Sequence, residues 1–85
     1  MKVYLHLSSG TDGQYHLDPV AIYASLEGVK AAIEAACLRD YQVPADSIRW
    51  ESDETYALKA RSLGTNRWGR PDDYGEYAEA YEVKP

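Results

Sequence analysis

A single stretch of helical periodicity, set between runs that alternate in polarity, limits this chain to few folds. Between Ser25 and Tyr41 the apolar residues recur at helical spacing, and charged residues lie outside the stripe. The stripe consists of Leu26, Val29, Ile33, Ala36 and Cys37. Ser25 is a favourable N-cap residue, and Pro44 prevents much continuation past Tyr41. One helix packed on one sheet gives two layers.

Five other segments have the alternation or the β-branched content of strands. They are residues 2–7, 14–23, 47–52, 55–61 and 76–83. Pro19 cannot donate to a ladder, so the second segment is predicted to lie at an edge or to bend there. The third and fourth segments are typical of a hairpin. We therefore predict one α+β domain over residues 1–85, with the order β-β-α-β-β-β and a mainly antiparallel sheet under the helix.

The first strand separates into an apolar and a polar face. Val3, Leu5 and Leu7 alternate with Tyr4 and His6. The pattern predicts that His6 is a solvated polar position on the face opposite Val3 and Leu5.

Charge and composition exclude several functional classes. Fourteen acidic residues against nine basic ones give the 85-residue chain a formal charge of −5, which argues against a basic nucleic-acid binder. The single cysteine excludes an internal disulfide framework, and no apolar run reaches the ~20 residues of a membrane span. The first residues begin a strand pattern rather than a signal peptide. We expect a cytoplasmic protein without a cofactor. Homodimerisation is possible, because it would bury apolar surface that the thin core of one chain cannot cover.

The two ends of the chain resemble small phage and prophage proteins of high-GC bacteria. The likeness lies in the opening Met1-Lys2-Val3-Tyr4-Leu5, in Val20-Ala21-Ile22-Tyr23-Ala24-Ser25 before an Ala-rich helix, and in the closing Tyr81-Glu82-Val83. It covers about the first forty residues and the last strand, whereas the segment from Pro44 to Gly75 has no counterpart. The resemblance implies a phage accessory protein, and it implies no catalytic residue.

Few residues have the spacing of a catalytic or metal site. His6 and His16 flank the first turn, and a zinc site would need further ligands from Asp12, Asp18 or Cys37, but no metal-binding spacing is present. Cys37 lies on the apolar helix stripe, which favours a buried, inert thiol. The carboxylates Glu51, Asp53 and Glu54 fall at a predicted hairpin tip, where water solvates them. We predict neither a catalytic residue nor a metal site.

The segment from Ser62 to Gly75 is long for a connection in so small a domain, and such loops are often functional. It contains Trp, Tyr and two Arg residues, which are the types enriched in interface hot spots. The alternative is an ordered loop in which Trp68 folds back onto the core.

Four of the five net negative charges fall in residues 71–85, with three tyrosines interleaved. This segment predicts either a surface for a basic protein partner or an acidic edge strand that resists strand addition. The predicted protein-binding residues are Arg67, Trp68, Arg70, Asp72, Asp73, Tyr74, Glu76, Tyr77, Glu79 and Tyr81.

These features favour a non-enzymatic, acidic binding protein that engages a host protein, for example as an inhibitor of a nucleic-acid-handling or defence complex of the anti-CRISPR kind. Two alternatives stay open. One is a small dimeric enzyme or ligand-binding protein that uses His6, His16 and nearby carboxylates. The other is a structural subunit whose exposed strand extends the sheet of a neighbour.

Overall fold

A computed structural model describes residues 1–9 and 17–84. One α-helix packs on a five-stranded antiparallel sheet, which confirms the predicted α+β class and the element order. The elements are β1 (Lys2–Ser8), β2 (Asp18–Tyr23), α1 (Leu26–Tyr41), a 3-10 turn (Ala45–Ser47), β3 (Ile48–Glu51), β4 (Leu58–Ser62) and β5 (Asp73–Glu82). The last strand thus begins three residues before its predicted start.

Helix α1 has the ends that its capping residues predict. The side chain of Ser25 accepts a hydrogen bond from the Gly28 amide at 3.0 Å. At the other end Gln42 adopts a left-handed conformation with φ 59°, and its amide donates to the Leu38 carbonyl at 3.0 Å. Most of the predicted stripe is buried, but Leu26 is exposed in the first turn.

The strand order is β2-β1-β5-β4-β3, so the acidic C-terminal strand lies in the centre of the sheet. This contradicts its interpretation as a protective edge, because β5 pairs with β1 on one side and with β4 on the other. The edges are β2 and β3. The edge position predicted from Pro19 is confirmed, and the register of β2 against β1 shifts beside this residue.

The helix packs on the polar face of β1. The apolar residues of β1 predict that it would pack on the other face. His6 is paired with Ala78, and Ala78 also faces Leu58. These residues lie on the helix side, where Ala78 belongs to the core and His6 is only 3% exposed. The prediction of a solvated His6 is therefore wrong.

The reason lies in the neighbouring strands. On the helix side β4 and β5 carry mostly small or apolar residues at their centres, whereas the other side carries Lys59, Arg61, Tyr77 and Glu79. Burying the first face desolvates far less charge, so the helix packs there although β1 alone favours the other side. The core cluster contains Val29, Ile33, Cys37, Ile48, Leu58, Ala60 and Ala78.

Candidate functional site

The loop between β4 and β5 has a backbone fixed by Asn66. Its side-chain Oδ1 accepts hydrogen bonds from the backbone amides of Trp68 at 2.9 Å and Arg70 at 3.2 Å. The backbone amide of Asn66 donates to the Arg70 carbonyl at 2.7 Å. Gly69 follows Trp68 with φ +76°, a conformation that suits glycine. The loop is therefore a defined turn that closes on itself.

Trp68 stands at the tip of this turn and is 70% exposed, so it does not fold back onto the core. The guanidinium carbon of Arg67 lies 4.3 Å from the centroid of its ring. An open recess of about 450 Å³ is lined by Asn66, Trp68 and Arg70. The loop thus presents an aromatic ring, two cationic side chains and a shallow recess together.

The predicted residues of β5 divide between the two faces of the sheet. Tyr77, Glu79 and Tyr81 lie on the face away from the helix. Tyr77 packs on Tyr56 with ring centroids 4.6 Å apart, and its phenol donates to Asp73. Burial, with the nearby Asp73 carboxylate, raises the pKa of Tyr77. Tyr81 is 47% exposed, which makes it the accessible aromatic of this group.

Tyr74 and Glu76 face the helix instead. The ring of Tyr74 lies 5.7 Å from that of Tyr41 and packs against the core cluster. Glu76 is 1% exposed. Glu76 cannot contact a partner without disturbing the fold, so it leaves the proposed contact surface, whereas half-buried Tyr74 offers only part of its ring.

The accessible part of the predicted set therefore forms two patches at opposite ends of β5. The loop patch consists of Arg67, Trp68, Arg70 and Asp72, which precede the strand. The strand patch centres on Glu79 and Tyr81. The eight residue steps of extended chain from Asp73 to Tyr81 separate the patches by roughly 26 Å.

Glu76 takes part in a buried polar cluster that sequence reasoning missed. Its Oε1 lies 2.8 Å from Nε2 of His6, and its Oε2 accepts a hydrogen bond from the Ser8 hydroxyl. Among the residues that the structure describes, Nδ1 of His6 is buried without a hydrogen-bond partner. The signal in the sequence is that Glu76 shares a strand face with two small residues, Ala78, which belongs to the core, and Ala80.

Beside this cluster a cleft of about 230 Å³ opens between the helix and the edge strand β2. Its floor is formed by His6, Ser8 and Glu76, and its walls by Val20, Tyr23, Ala32, Ala35, Ala36 and Arg39. The three alanines on this side of the helix contribute only methyl groups to its lining. We name it the alanine cleft.

The remaining candidates have structural environments. Cys37 is buried, and desolvation raises the pKa of its thiol to about 11, so little nucleophilic thiolate forms near neutral pH. Within residues 1–9 and 17–84, no group of three acidic, histidine or cysteine side chains could hold a metal ion. His16 and Asp12 of the hypothetical zinc site lie outside the described residues.

The carboxylates of the β3–β4 turn are exposed or half-exposed, and Asp53 organises that turn. Its Oδ1 accepts from the amides of Thr55 and Tyr56, each at 2.8 Å, and its Oδ2 lies 3.0 Å from the Lys59 ammonium. The hydrogen bonds from Tyr56, Lys59 and Thr55 lower the pKa of Asp53 to about 2.

No protein-family model, curated protein or solved structure matches the chain. In the described ranges no helix has the length and apolar character that a membrane span requires. The fold and the geometry of its surfaces thus define the class, a small two-layer α+β domain with an exposed aromatic loop and a buried polar cluster.

Proposed function

We propose that this chain is a non-enzymatic binding protein whose anchor for a protein partner is the loop patch. The observation that carries the proposal is the exposure of Trp68 on a turn that Asn66 fixes. A large ring in water contributes little to the stability of a monomer, but it can bury much apolar surface against a partner. Since the turn is already ordered, binding loses less conformational entropy than it would for a mobile loop.

The charge distribution supports a partner with a basic surface. Asp72 and Asp73 lie beside the loop tip and Glu79 and Glu82 further along β5, within a segment of net charge −4. Exposed acidic groups of this kind speed association with a basic partner and orient it. In its narrower form the proposal is a phage-encoded inhibitor of a host nucleic-acid-handling or defence complex, which rests on the acidic charge, the small size and the resemblance of the chain's ends.

Affinity capture tests the loop patch. Immobilised chain is incubated with a lysate of a high-GC bacterium, and the proteins retained by the wild type are compared with those retained by Trp68→Ala and Arg70→Ala. We expect a discrete protein that both variants lose. Leu38→Ala is the matched control, because it also removes an exposed apolar side chain, but from the helix.

Two outcomes would refute the assignment. Retention of the same protein by Trp68→Ala would remove the loop patch from the interface. Capture that does not weaken as salt is raised would show that the exposed acidic groups do not contribute to binding. Screening shortens the reach of exposed charges to about 8–10 Å near physiological salt.

A further inference from the structure

We infer that two copies of this chain pair through the edge strand β3, antiparallel about a two-fold axis at Trp50, so that their five-stranded sheets become continuous. The inference goes beyond the proposed function and stands without it, because the loop patch takes no part in the pairing. It rests on three observations: the contrast between the two edges of the sheet, the backbone groups on the open side of β3, and the opposite charges along this strand.

The two edges differ in their ability to accept a further strand. In β2, Pro19 has no amide proton, and the register against β1 shifts beside it. By contrast, β3 contains neither proline nor glycine and pairs with β4 in unbroken register from Ile48 to Glu51. Natural edge strands carry prolines, bulges or charges that prevent pairing with another chain. The protection of β3 consists of two charges of opposite sign, which repel a second strand only in some registers.

The backbone groups of Trp50 lie on the open side of β3. The Ser62 amide donates to the Asp72 carbonyl at 2.9 Å, so it is directed towards β5. Because successive residues of a strand direct their backbone groups to alternate sides, those of Arg61 are directed to β3, where Arg49 lies opposite. The same alternation along β3 leaves the amide and carbonyl of Trp50 at the free edge. Among the described residues no strand pairs with this side of β3.

The charges of β3 select one register. Arg49 and Glu51 share the face away from the helix, on either side of Trp50. With the two-fold axis at Trp50, Arg49 of each copy lies opposite Glu51 of the other, so two ion pairs form at once. An axis at Arg49 would oppose two cations, and an axis at Glu51 would oppose two carboxylates. Only the Trp50 register also makes a hydrogen-bonded pair of the free backbone groups, with each Trp50 amide donating to the other Trp50 carbonyl.

The side chains of β3 are accessible for this pairing. Arg49 is exposed, and two backbone carbonyls of β4 and the following loop take only two of its N–H groups. The side chain of Glu51 is 37% exposed, and its ion pair with Arg61, at 3.4 Å, is longer than a charge-assisted hydrogen bond. On the helix face Trp50 is half-buried against the core, so the two rings would lie opposite each other and shield one another from water.

Charge exchange on β3 tests the pairing. Light scattering and sedimentation measure the self-association of the full chain from micromolar to millimolar concentration. Arg49→Glu and Glu51→Arg each oppose like charges at both pairs, so each variant alone should dimerise about tenfold to thirtyfold more weakly than the wild type. An equimolar mixture of the two variants should form a heterodimer with the wild-type affinity, because opposite charges again lie across the edge. Lys84→Glu, an exposed position outside β3, is the control and should dimerise like the wild type.

Amide exchange locates the interface in the unmodified chain. In a dimer paired at Trp50, the amide of this residue gains an acceptor, so its exchange should slow about tenfold as the protein concentration is raised. The amides of Arg49 and Glu51 are directed to β4 in the single chain, so their exchange should depend far less on concentration. This measurement uses no variant and therefore does not depend on the folding of an altered chain.

Three results would overturn the inference. One is a wild-type chain that stays monomeric at millimolar concentration. Another is self-association without slower exchange at Trp50, which would place the contact on a different surface. The third is a mixture of Arg49→Glu and Glu51→Arg chains that associates no more strongly than either variant alone, which would show that these charges do not face each other.

Discussion

The two ends of the segment from Trp68 to Glu76 reverse the usual placement of residues in a small protein. Trp68, a large aromatic, is mostly in water, whereas Glu76, eight positions later, is 1% exposed beneath a helix. Neither placement follows from the burial preferences of the two residue types. Stability does not require an exposed tryptophan or a buried carboxylate, so these two places are where a functional role has to be sought.

The two regions also differ in how they are held. The loop depends on local hydrogen bonds to Asn66, whereas the buried cluster depends on contacts between residues about seventy positions apart. Local turns can open with little effect on the rest of the domain, but long-range buried polar groups are lost only with the fold. Disruption of the interior should therefore destabilise the molecule globally, and disruption of the loop should not.

The largest effect is expected from Glu76→Ala. It removes the hydrogen-bond partner of buried His6 and the acceptor for the Ser8 hydroxyl, and it leaves a cavity in the interior, which together cost about 3–5 kcal/mol of unfolding free energy. Urea denaturation followed by circular dichroism measures the loss. Glu79→Ala, on the other face of the same strand, is the control and should change stability by about 0.5 kcal/mol or less. Equal effects of the two substitutions would contradict the distinction between the regions.

A smaller loss is expected from Gly75→Ala, at the junction of the two regions. Gly75 has φ +69°, and a Cβ atom there would lie 2.0 Å from Oγ of Ser9 and 3.0 Å from its Cβ. We expect about 1–3 kcal/mol of destabilisation from backbone strain, measured by thermal unfolding. Gly64→Ala is the matched control, because apart from its chain neighbours no described residue has an atom within 4 Å of the new Cβ. If Gly75→Ala leaves the stability unchanged, the backbone of this turn can accommodate the added Cβ atom.

Asn66→Ala should affect the loop alone. It removes the acceptor for the Trp68 and Arg70 amides, so we expect faster hydrogen exchange at these amides with global stability changed by about 0.5 kcal/mol or less. Asn66→Asp keeps the acceptor oxygen and should preserve protection. If Asn66→Ala lowers the unfolding free energy as much as Gly75→Ala does, the loop is coupled to the core and the comparison fails.

The smallest effect concerns pH and the exposed turn at Asp53. Its folded-state pKa, about 2, lies below the ordinary value of about 3.9, so the ionised form stabilises the fold. This stabilisation is complete above the ordinary pKa and is lost as the pH falls towards 2. The stability difference between wild type and Asp53→Ala should therefore shrink across this window in urea titrations. A difference that stays constant from pH 6 to pH 2 would exclude the carboxylate as its source.

The local elements were predictable because their signals are local. Ser25 caps the helix through its own side chain, and Pro19 marks an edge because it lacks an amide proton. The outward position of Trp68 was one of two open alternatives, since the loop composition suits both a folded-back and an exposed ring.

The buried cluster was not predictable from any single segment. Alternation in β1 defines two faces but not which of them receives the helix. That choice depends on a strand at the other end of the chain, whose Ala78 is buried beside His6 and whose Ala80 pairs with Tyr4 on the same face. Glu76 lies in an acidic run and shares the face of these alanines, so its burial follows only from the pairing.

The sequence by itself determined the class of fold, because one helical stripe and five extended segments leave one simple two-layer solution. It also determined the helix ends and the acidic character of the C-terminal segment, and Pro19 limited β2 to an edge position or a bend. Only the tertiary structure decided that β5 is central, that His6 and Glu76 are buried together, and that a cleft remains beside three alanines. These features depend on strand order and on the face that the helix covers, and both are set by contacts between residues far apart in the chain.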